Sequence, residues 1–466
     1  MAFVDRKGET AALEEELGKA KEHAVMAVVY GRRRIGKTEL IKRFISDKEH
    51  IYFLATLQSK EEVIVKFSHK AAEFFKDNAT MEHPHTTWDG FFEYLIRELK
   101  RYGKPVVLAF DEYTYLIQQD AAILSVFQYY WDEHLKNMPL MLILCGSYVG
   151  MMEKEVLSHN SPLYGRRSIQ LFLSDIDFSF LKEFFPAYSK EEMVESYAIL
   201  GGVPSYLLRF DSSKKVKENI IGNFLDKNKA LYADGLILLR EELKEPRNYL
   251  SILKAISFGK NTQKEIADQA HLEPALVGKY LDVLRGMKIV ERVVPVTERN
   301  PEKSKRGIYR INDNYYNFWL KFVYPYSDYV EEGRVKELME NIIEPQFNTF
   351  VGHAFEKLAR NALLHKNAKK QLPAYFENIG PWWEGETEID IVGINKATKD
   401  ILFAEVKWSE MDGLDVTRLV AELKEKVGKV DWKKNDRKEH YMIIAKKFKQ
   451  RKGMQGVSLV ELDELH

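Results

Sequence analysis

The chain has 466 residues, which is too many for one hydrophobic core and predicts two to four domains. Its 70 basic and 70 acidic residues give a formal net charge of +0, which excludes a global field favouring nucleic acid or membrane and leaves only local charge clusters. A hydrophobic fraction of 45% argues against disorder, and the single cysteine, Cys145, excludes a disulfide framework and a multi-cysteine zinc site.

The start of the chain and its apolar runs bear on cellular location. The first residues, MAFVDRKGET, are charged and lack the apolar stretch of a signal peptide. The longest apolar run, 138–152, is shorter than the roughly 20 residues of a membrane-spanning helix. The lone cysteine also fits a reducing compartment. We therefore expect a soluble, cytoplasmic protein with no membrane segment.

Short apolar segments alternate with helical stretches over the first 175 residues. These predicted strands are VMAVVY (25–30), IYFL (51–54), VVLAF (106–110), LMLILC (140–145) and SIQLFL (168–173). Continuous apolar strands separated by helices predict a parallel sheet covered on both faces. Residues 174–245 then show helical periodicity, and Pro246 can begin a new helix at its first turn.

The segment GRRRIGKT (31–38) fits the phosphate-binding pattern G-x-x-x-x-G-K-[ST] and directly follows the first strand. Gly31 and Gly36 permit backbone conformations that direct N–H groups at phosphates, and the next helix adds its positive end. We expect Lys37 to contact the β- and γ-phosphates of ATP and Thr38 to bind Mg²⁺. The expected ATP-contacting positions are Gly31, Arg32, Arg33, Arg34, Ile35, Gly36, Lys37, Thr38 and Glu39. A chance match in a glycine turn is the alternative, and the strand–loop–helix context disfavours it.

An acidic pair, Asp111 and Glu112, follows the strand VVLAF. Ligands of open α/β sheets bind at the carboxyl ends of strands, so these side chains should face the nucleotide. We expect Asp111 to hold Mg²⁺ through water and Glu112 to polarise the attacking water as general base. An exposed acidic turn is the alternative, and its spacing after the phosphate loop makes that reading improbable.

Three further side chains are candidates for contact with the γ-phosphate. Ser147 follows the strand LMLILC and places a hydroxyl where it could sense that group. Arg166 and Arg167 precede the next strand, and an arginine there could stabilise transition-state charge in cis or across a subunit interface. The alternative is a surface pair neutralised by nearby carboxylates, and the sequence does not decide between the two.

These motifs together resemble the archaeal-type ATPase family, a branch of the STAND and AAA+ P-loop ATPases. The resemblance covers nearly the whole chain. It rests on the ATPase motifs and on FVDRKGETAAL at the start, GSYVGMM (146–152), SPLYGRR (161–167) and GGVPSYL (201–207). It implies that Phe3, Arg6 and Pro204 contact the adenine side of the nucleotide. The opening motif commonly carries Arg-Glu in relatives, whereas here Lys7 follows Arg6.

Residues 262–296 place small and apolar side chains where a helix-turn-helix needs its core. The extended segments IVERVVPV and GIYRIND then follow, so the region resembles a winged helix. Its side chains able to reach DNA are Gln263, Lys279, Arg299, Lys303, Lys305 and Arg306. Glu273 and Asp282 on the presumed recognition helix would repel phosphate, so a protein-contact or lid role stays open.

The last part of the chain has a strand with Asp390 followed by a strand delivering Glu405, Val406 and Lys407. Strand alternation puts Glu405 and Lys407 on one face, where Asp390 can lie beside them. Two carboxylates suit Mg²⁺, and an ammonium can orient hydroxide. A surface hairpin with charges on its wet face is the alternative.

This arrangement resembles the PD-(D/E)XK nuclease fold, and the resemblance implies that Glu356 in the helix FVGHAFEKLARNAL joins the centre. Ile389 stands where the family name has proline. Members of this fold can lose activity and keep only DNA or protein contacts. Between positions 424 and 452, twelve basic residues outnumber four acidic ones, which suits either a DNA backbone or a solvated helix face.

The sequence predicts an α/β multidomain protein that binds and hydrolyses ATP with Mg²⁺. The predicted domains are a parallel-sheet P-loop ATPase core (1–173), a helical lid (174–245), a winged helix (246–312), an aromatic linker (313–343) and an α/β nuclease-like domain (344–466). The leading hypothesis is an ATP-driven DNA-processing enzyme whose nucleotide state controls a Mg²⁺-dependent endonuclease. The alternative is an ATP-operated switch whose inactive nuclease-like domain binds DNA or a protein partner. DNA, a protein partner and a homo-oligomer are the expected associations.

Overall fold

The computed structural model describes residues 4–451 and 454–465. The chain forms two compact units. The first runs to Ile176 and includes Val203–Ser205, and the second contains Asp177–Gly202 and the chain from Tyr206 onward. Phe3, a predicted nucleotide contact, lies outside the described residues.

The described strands are, in chain order, β1 (Val25–Tyr30), β2 (His50–Leu54), β3 (Val106–Asp111), β4 (Leu140–Gly146), β5 (Ile169–Phe172), β6 (Val290–Val293), β7 (Ile308–Ile311), β8 (Asn378–Glu384), β9 (Thr387–Ile394), β10 (Asp400–Met411), β11 (Lys438–Phe448) and β12 (Val457–Glu461). The described α-helices are α1 (Lys7–Lys19), α2 (Lys37–Ile45), α3 (Lys60–Phe75), α4 (Asn78–Glu82), α5 (Trp88–Tyr102), α6 (Tyr113–Gln119), α7 (Ile123–Glu133), α8 (Val149–Met151), α9 (Leu181–Phe184), α10 (Lys190–Leu200), α11 (Pro204–Leu207), α12 (Val216–Phe224), α13 (Ala230–Glu242), α14 (Pro246–Ser257), α15 (Gln263–Ala270), α16 (Pro274–Gly286), α17 (Asn314–Phe318), α18 (Ser327–Glu331), α19 (Val335–Leu338), α20 (Glu344–Ala368), α21 (Gly413–Val427) and α22 (Leu462–Leu465). Short 3₁₀ or π segments lie at Leu135–Asn137, Met152–Leu157, Phe178–Phe180, Pro301–Lys303, Trp319–Val323, Tyr324–Tyr326 and Met339–Ile343.

The first unit contains the predicted parallel sheet, with strand order β2-β3-β4-β1-β5. Every residue of β1, β3 and β4 is buried, because apolar clusters cover both faces of the sheet. β1 and β3 flank β4, so the loops after β1 and β3 lie at the same carboxyl edge. This order brings the phosphate loop and the acidic pair to one place.

The predicted winged-helix region has the expected element order. Helices α14, α15 and α16 are followed by the antiparallel pair of β6 and β7. Thr262 begins α15 with a capping box in which its side chain and that of Glu265 each accept a backbone N–H. The strand β7 returns to the helices, where the amide of Tyr309 donates to the carbonyl of Asn261 at 2.7 Å.

The predicted aromatic linker is largely helical, and the aromatic side chains in its first part are buried: Tyr315, Tyr316, Phe318, Trp319 and Phe322. Its ring donors bond to carbonyl groups of α13: Tyr316 to Gly235 at 3.1 Å and the indole of Trp319 to Tyr232 at 2.7 Å. These contacts use the polar ends of the rings inside the second unit. They hold the segment against α13 within the second unit. The predicted domain boundaries on either side remain predictions.

The second unit ends in a sheet of order β12-β11-β10-β9-β8, parallel from β10 to β12 and antiparallel from β8 to β10. β9 and β10 match the strands predicted to carry Asp390 and Glu405, whereas β8 was not predicted. It contains Pro381, which argues against a regular strand. The proline is tolerated because β8 is an edge strand and its register shifts between Gly380 and Trp382.

Gly235 is the point of closest approach between α13 and the aromatic segment. A Cβ atom there would lie 2.8 Å from the ring of Trp319. Gly235→Ala should destabilise the second unit by about 1–3 kcal/mol through overpacking, seen as a lower thermal unfolding midpoint. Gly222→Ala in α12 is the control, because a Cβ there meets nothing within 4 Å. Equal midpoints for both variants would contradict this account.

Candidate functional site

The phosphate loop connects β1 to α2 and depends on its two glycines. A Cβ atom on Gly31 would lie 2.6 Å from the carbonyl oxygen of Leu173, so only glycine fits this close approach. Gly36 has φ +95°, which favours glycine, and it begins α2. Pro204 packs at this position, with its Cγ 3.9 Å from where a Cβ on Gly36 would be. The predicted contact residue Pro204 therefore lies against the loop.

Lys37 is buried at the start of α2, inside the loop. Its Nζ donates to the carbonyl oxygens of Gly31 and Arg32, each at 2.9 Å. An ammonium held in the turn of this loop can exchange such carbonyls for phosphate oxygens. The N-terminus of α2 adds free backbone donors beside it.

Asp111 is fully buried at the end of β3 and is surrounded by donors. The hydroxyls of Thr38 and Tyr52 both donate to its Oδ2, each at 2.7 Å. The amide of Glu112 donates to its Oδ1 at 2.9 Å. The two predicted Mg²⁺ ligands, Thr38 and Asp111, are thus in direct contact. Their hard oxygen atoms suit that ion.

Sequence reasoning did not find Tyr52. It lies on β2, which pairs with β3, and burial together with the Asp111 carboxylate raises its pKa well above the ordinary tyrosine value. The hydroxyl therefore stays protonated and acts as a donor. The available signal was a tyrosine within the otherwise apolar strand HIYFL. The sequence does not show that this strand lies next to the strand that ends in Asp111.

Glu112 and Ser147 meet at the same edge of the sheet. Glu112 has φ +53°, a left-handed conformation that is costly for a residue with a side chain. Ser147, just after β4, donates its hydroxyl to Glu112 Oε2 at 2.7 Å. The predicted general base and the predicted sensor of the γ-phosphate are thus hydrogen-bonded to each other.

Arg6 reaches the phosphate loop from the opening segment. Its buried guanidinium donates to the carbonyls of Ile35 at 3.3 Å and Ser174 at 2.6 Å, and pairs with Glu9 at 3.0 Å. The resemblance implied a contact with the adenine side of the nucleotide. That contact stays a prediction, and the observed bonds tie Arg6 to the backbone of the phosphate loop at Ile35, which is itself buried.

The arginines of the loop itself make contacts on its outer side. Arg32 pairs with Asp175 at 3.6 Å, and Arg33 donates to the hydroxyl of Tyr115 at 2.8 Å. The side chains exposed to solvent are those of Arg34 and Glu39. These predicted contact positions are therefore spread around the loop, and only part of the set faces inward.

Arg166 and Arg167 have different surroundings. Arg166 donates to both carboxylate oxygens of Asp132, at 2.9 and 2.6 Å, which is the neutralised pair left open by the sequence. Arg167 donates to the carbonyl of Leu157 at 3.1 Å and acts electrostatically on Tyr30, the last residue of β1. Burial raises the pKa of Tyr30, and the charge of Arg167 opposes that rise. Arg167 is therefore the better placed of the two for a ligand at the loop.

The predicted acidic centre is assembled in the second unit by β9, β10 and α20. Asp390 Oδ2 accepts the amide of Val406 at 2.8 Å and lies 3.8 Å from Lys407 Nζ. Burial, and then the charges of Glu405 and Glu356, raise the pKa of Asp390 well above its usual range. The predicted residues of this centre are brought together.

Glu405 is fully buried and meets two ammonium groups. Lys407 Nζ lies 3.3 Å from one of its oxygens, and Lys426 on α21 lies 2.7 Å from the other. Burial acts to lower the pKa of Lys407, but Asp390 and Glu405 outweigh it and raise that pKa. From the sequence alone, Lys426 counts only among the basic residues between 424 and 452. Its contact with Glu405 depends on the packing of α21 against β10, which the local sequence does not reveal.

The chemistry of this centre is that of hard oxygen donors beside an ammonium. Asp390 and Glu405 suit Mg²⁺, which keeps several waters and binds through one or two carboxylates. In residues 4–451 and 454–465, no group of three or more His, Cys, Asp or Glu side chains is arranged to hold a metal ion. A cation here would therefore rest on the two carboxylates, water and a substrate phosphate.

Some of the candidate DNA-contacting side chains of the predicted winged-helix region bond to other residues of that region. Gln263 donates to the carbonyl of Pro274 at 2.7 Å, and Arg306 pairs with Glu298 at 3.1 Å. Lys279, Arg299, Lys303 and Lys305 are exposed. Any phosphate contact from the hairpin therefore falls first to Arg299, Lys303 and Lys305. Among the described residues, no helix is long and apolar enough to cross a membrane.

Tyr52→Phe should lower the rate of ATP hydrolysis about tenfold, because a hydrogen bond to a charged group contributes about 1.5–3 kcal/mol. Without it, Asp111 loses one of the donors that fix its orientation. Tyr102→Phe is the matched control, since its hydroxyl donates to Glu49 at 2.8 Å on the surface of the same unit. Steady-state rates at saturating ATP and Mg²⁺ give the comparison. Equal rates in the two variants would show that Tyr52 does not position Asp111.

Comparisons with known proteins agree with this geometry. Residues 3–210 match a family described as an ATPase domain predominantly from Archaea. Residues 319–420 match a family described as archaeal and bacterial proteins of unknown function. A short "uncharacterized ATP-binding protein" of Methanocaldococcus jannaschii is 45% identical over 47 residues, which are 10% of this chain and 76% of that protein.

A solved structure, the Walker-type ATPase of Pyrococcus abyssi, is similar to 68% of this chain and 96% of its own, with a TM-score of 0.51 and 23% identity. That likeness concerns the fold alone. An "uncharacterized protein" of Methanocaldococcus jannaschii is 35% identical over 457 residues, covering 96% of this chain and 97% of the relative. The chain therefore belongs to the archaeal ATPase family, with a P-loop ATPase domain followed by a C-terminal domain of the family of unknown function.

Proposed function

We propose that this P-loop ATPase processes DNA, and that its nucleotide state controls a Mg²⁺-dependent endonuclease centre in the C-terminal domain. The carrying observation is the convergence of Glu356, Asp390, Glu405 and Lys407 from α20, β9 and β10. A domain free of catalytic constraint would not need two buried carboxylates beside a lysine, since burying charges is costly.

At the nucleotide end, each side chain has a role in the proposal. Lys37 neutralises the β- and γ-phosphates, and Thr38 and Asp111 hold Mg²⁺ against them. Glu112 accepts a proton from the attacking water, and Ser147 holds the Glu112 carboxylate at 2.7 Å until the γ-phosphate competes for its hydroxyl. When bound, Mg²⁺ neutralises charge that develops on the phosphate oxygens.

Arg167 is the proposed arginine for the γ-phosphate, whereas Arg166 maintains the structure through Asp132. Pro204 is proposed to contact the nucleotide because it packs at Gly36. Arg6 is proposed to act indirectly, by fixing the carbonyl of Ile35 in the loop. A homo-oligomer would allow an arginine to act across an interface.

At the nuclease centre, Asp390 and Glu405 are the proposed Mg²⁺ ligands. Lys407 orients the attacking water and donates to the scissile phosphate, from a position 3.3 Å from Glu405. The water oxygen bonds to phosphorus, and the bond from phosphorus to the leaving sugar oxygen breaks. The water's proton passes to solvent, and the leaving oxygen takes a proton from solvent to become a hydroxyl. Bound Mg²⁺ would lower the pKa of that water and polarise the phosphate.

Control by nucleotide is supported by the position of α10. The segment Asp177–Gly202, which contains α10, is joined at both ends to the first unit, and Pro204 follows it. Within the second unit, the carbonyl of Tyr197 on α10 accepts from Asn314 at 2.7 Å, and Glu191 pairs with Lys446 of β11 at 3.2 Å. A change at the nucleotide would therefore have a covalent route to elements that pack on the nuclease-like sheet.

The second candidate function is an ATP-operated switch that binds DNA or a protein partner through an inactive nuclease-like domain. It is favoured by the two ion pairs of Glu405, which engage both of its oxygens with Lys407 and Lys426. An ion pair of this kind can be purely structural. The two functions differ in whether the domain cleaves DNA.

Lys37→Ala should abolish ATP hydrolysis and leave the fold intact, because it removes the cation from the phosphate loop. Lys100→Ala is the control, since that lysine is exposed on α5 of the same unit. Phosphate release measures activity, and thermal unfolding checks the fold. Undiminished hydrolysis in Lys37→Ala would contradict the assignment of the nucleotide site.

Cleavage of supercoiled and linear DNA with Mg²⁺ or Mn²⁺ tests the endonuclease. We expect cleavage by the wild type, its loss in Asp390→Ala, and a change of rate when ATP is added. Glu386→Ala is the control, because this exposed carboxylate lies in the turn between β8 and β9. No cleavage by the wild type, despite ATP hydrolysis and DNA binding, would favour the switch.

A further inference from the structure

A cavity of about 380 Å³ lies beside the acidic centre, within the second unit. One wall is α20, which contributes Glu356 and Arg360, and Asp390 of β9 lies at its edge. The lining also includes Asn261 and Tyr309 of the predicted winged-helix region. The cavity therefore connects the carboxylates of the proposed nuclease centre to a surface that nothing in the proposed chemistry uses.

Arg360 is the cation of this cavity that has no partner. Within residues 4–451 and 454–465, its half-buried guanidinium makes no hydrogen bond or ion pair. The other cations of the lining are engaged: Arg310 pairs with Glu388 at 2.9 Å, and Lys357 donates to the carbonyl of Asn312 at 2.7 Å. Arg360 lies four residues after Glu356, on the same face of α20. A guanidinium presents a planar fork of donors that fits a phosphate group.

Tyr309 and Asn261 give the lining the features of a base-binding surface. Tyr309 presents a half-buried ring, and aromatic rings are the usual platform for an unstacked base. Asn261 is half buried beside it, and its side-chain amide has no hydrogen-bond partner within the part of the chain described. An amide offers both a donor and an acceptor to the edge of a base. The lining of one cavity thus contains a guanidinium that can bind a phosphate and an aromatic ring and amide that can bind a base.

The size of the cavity limits what can enter it. A volume of 380 Å³ equals a cube about 7 Å on each edge, whereas the major groove alone of duplex DNA is about 12 Å wide. A continuous duplex therefore does not fit inside the cavity. A single extruded or terminal nucleotide is the unit of nucleic acid that matches one phosphate site and one base site.

We propose that this cavity receives one unpaired nucleotide of a nucleic-acid strand, with its phosphate on Arg360 and its base against Tyr309 and Asn261. The inference rests on the proposed function and names its substrate class, which is a strand end, gap or overhang rather than continuous duplex. The scissile phosphate then lies next to Asp390, at the edge of the same cavity.

The test is binding of fluorescent oligonucleotides to the full chain in EDTA, where no cleavage occurs. The probes are a DNA duplex with a single-stranded overhang, the same duplex with blunt ends, and single-stranded DNA and RNA of equal length. The wild type should bind the overhang at least about tenfold tighter than the blunt duplex. Arg360→Gln should weaken binding of the overhang probe about tenfold and so abolish the preference, since one charge-assisted contact is lost. The slope of log K against log salt concentration should become shallower by about 0.7.

Arg418→Gln is the matched control, because this arginine is exposed on α21 and pairs with Asp415 on the same helix, at 2.8 Å. It should leave the preference unchanged. Tyr309→Leu gives a second, independent variant at the proposed base site. Thermal unfolding checks that each variant folds. Tighter binding of RNA than DNA would identify RNA as the source of the nucleotide. Equal affinity for overhang and blunt probes, no binding of any probe, or indifference to Arg360→Gln would overturn the proposal.

The same samples with Mg²⁺ separate this inference from the endonuclease. Overhang preference without cleavage would leave the cavity assignment standing and remove the endonuclease. Cleavage of blunt duplex that is lost in Asp390→Ala but unaffected by Arg360→Gln would leave the endonuclease standing and remove the cavity assignment.

Discussion

The buried carboxylate of Asp111 is the interaction on which the ATPase unit depends. An unpaired carboxylate in an apolar sheet would cost several kcal/mol, so its position is tolerated only because three donors surround it. Those donors come from α2, β2 and the residue after β3, so the carboxylate ties the start of α2 to β2, the strand that pairs with β3. All three donors are neutral groups. None of the three therefore brings a positive charge that would have to be displaced before a cation binds.

Glu405 is also a buried carboxylate, but it is stabilised by a different kind of partner. It is as buried as Asp111, but its partners are two ammonium groups rather than neutral donors. Its charge is balanced in place, and Asp390 beside it carries a raised pKa because burial and nearby carboxylates disfavour its charged form. The first site is thus arranged to attract a cation. The second must release at least one lysine contact before a cation can use Glu405 in full.

The parts of the fold that could be read from sequence are those set by local patterns. The strand at 25–30, the phosphate loop and the order of elements in the second sheet follow from apolar runs and motif spacing. β8 was missed because Pro381 argues against a strand, and only its edge position with a shifted register makes it possible. Tyr52 and Lys426 were missed because each acts through a strand or helix distant in sequence. Arg166 shows the same limit, since its partner Asp132 is 34 residues away.

Arg6 shows how a resemblance can name the right residue and leave its role open. The opening motif directed attention to it, yet its guanidinium bonds to carbonyls of Ile35 and Ser174, on either side of the sheet's carboxyl edge. Gly31 is constrained from the same side, because Leu173 leaves no room for a Cβ atom. The shape of the phosphate loop is therefore fixed by the segment after β5 as well as by its own glycines. A motif of eight residues describes the loop, but packing against a segment about 140 residues further along the chain holds it in the conformation that phosphate requires.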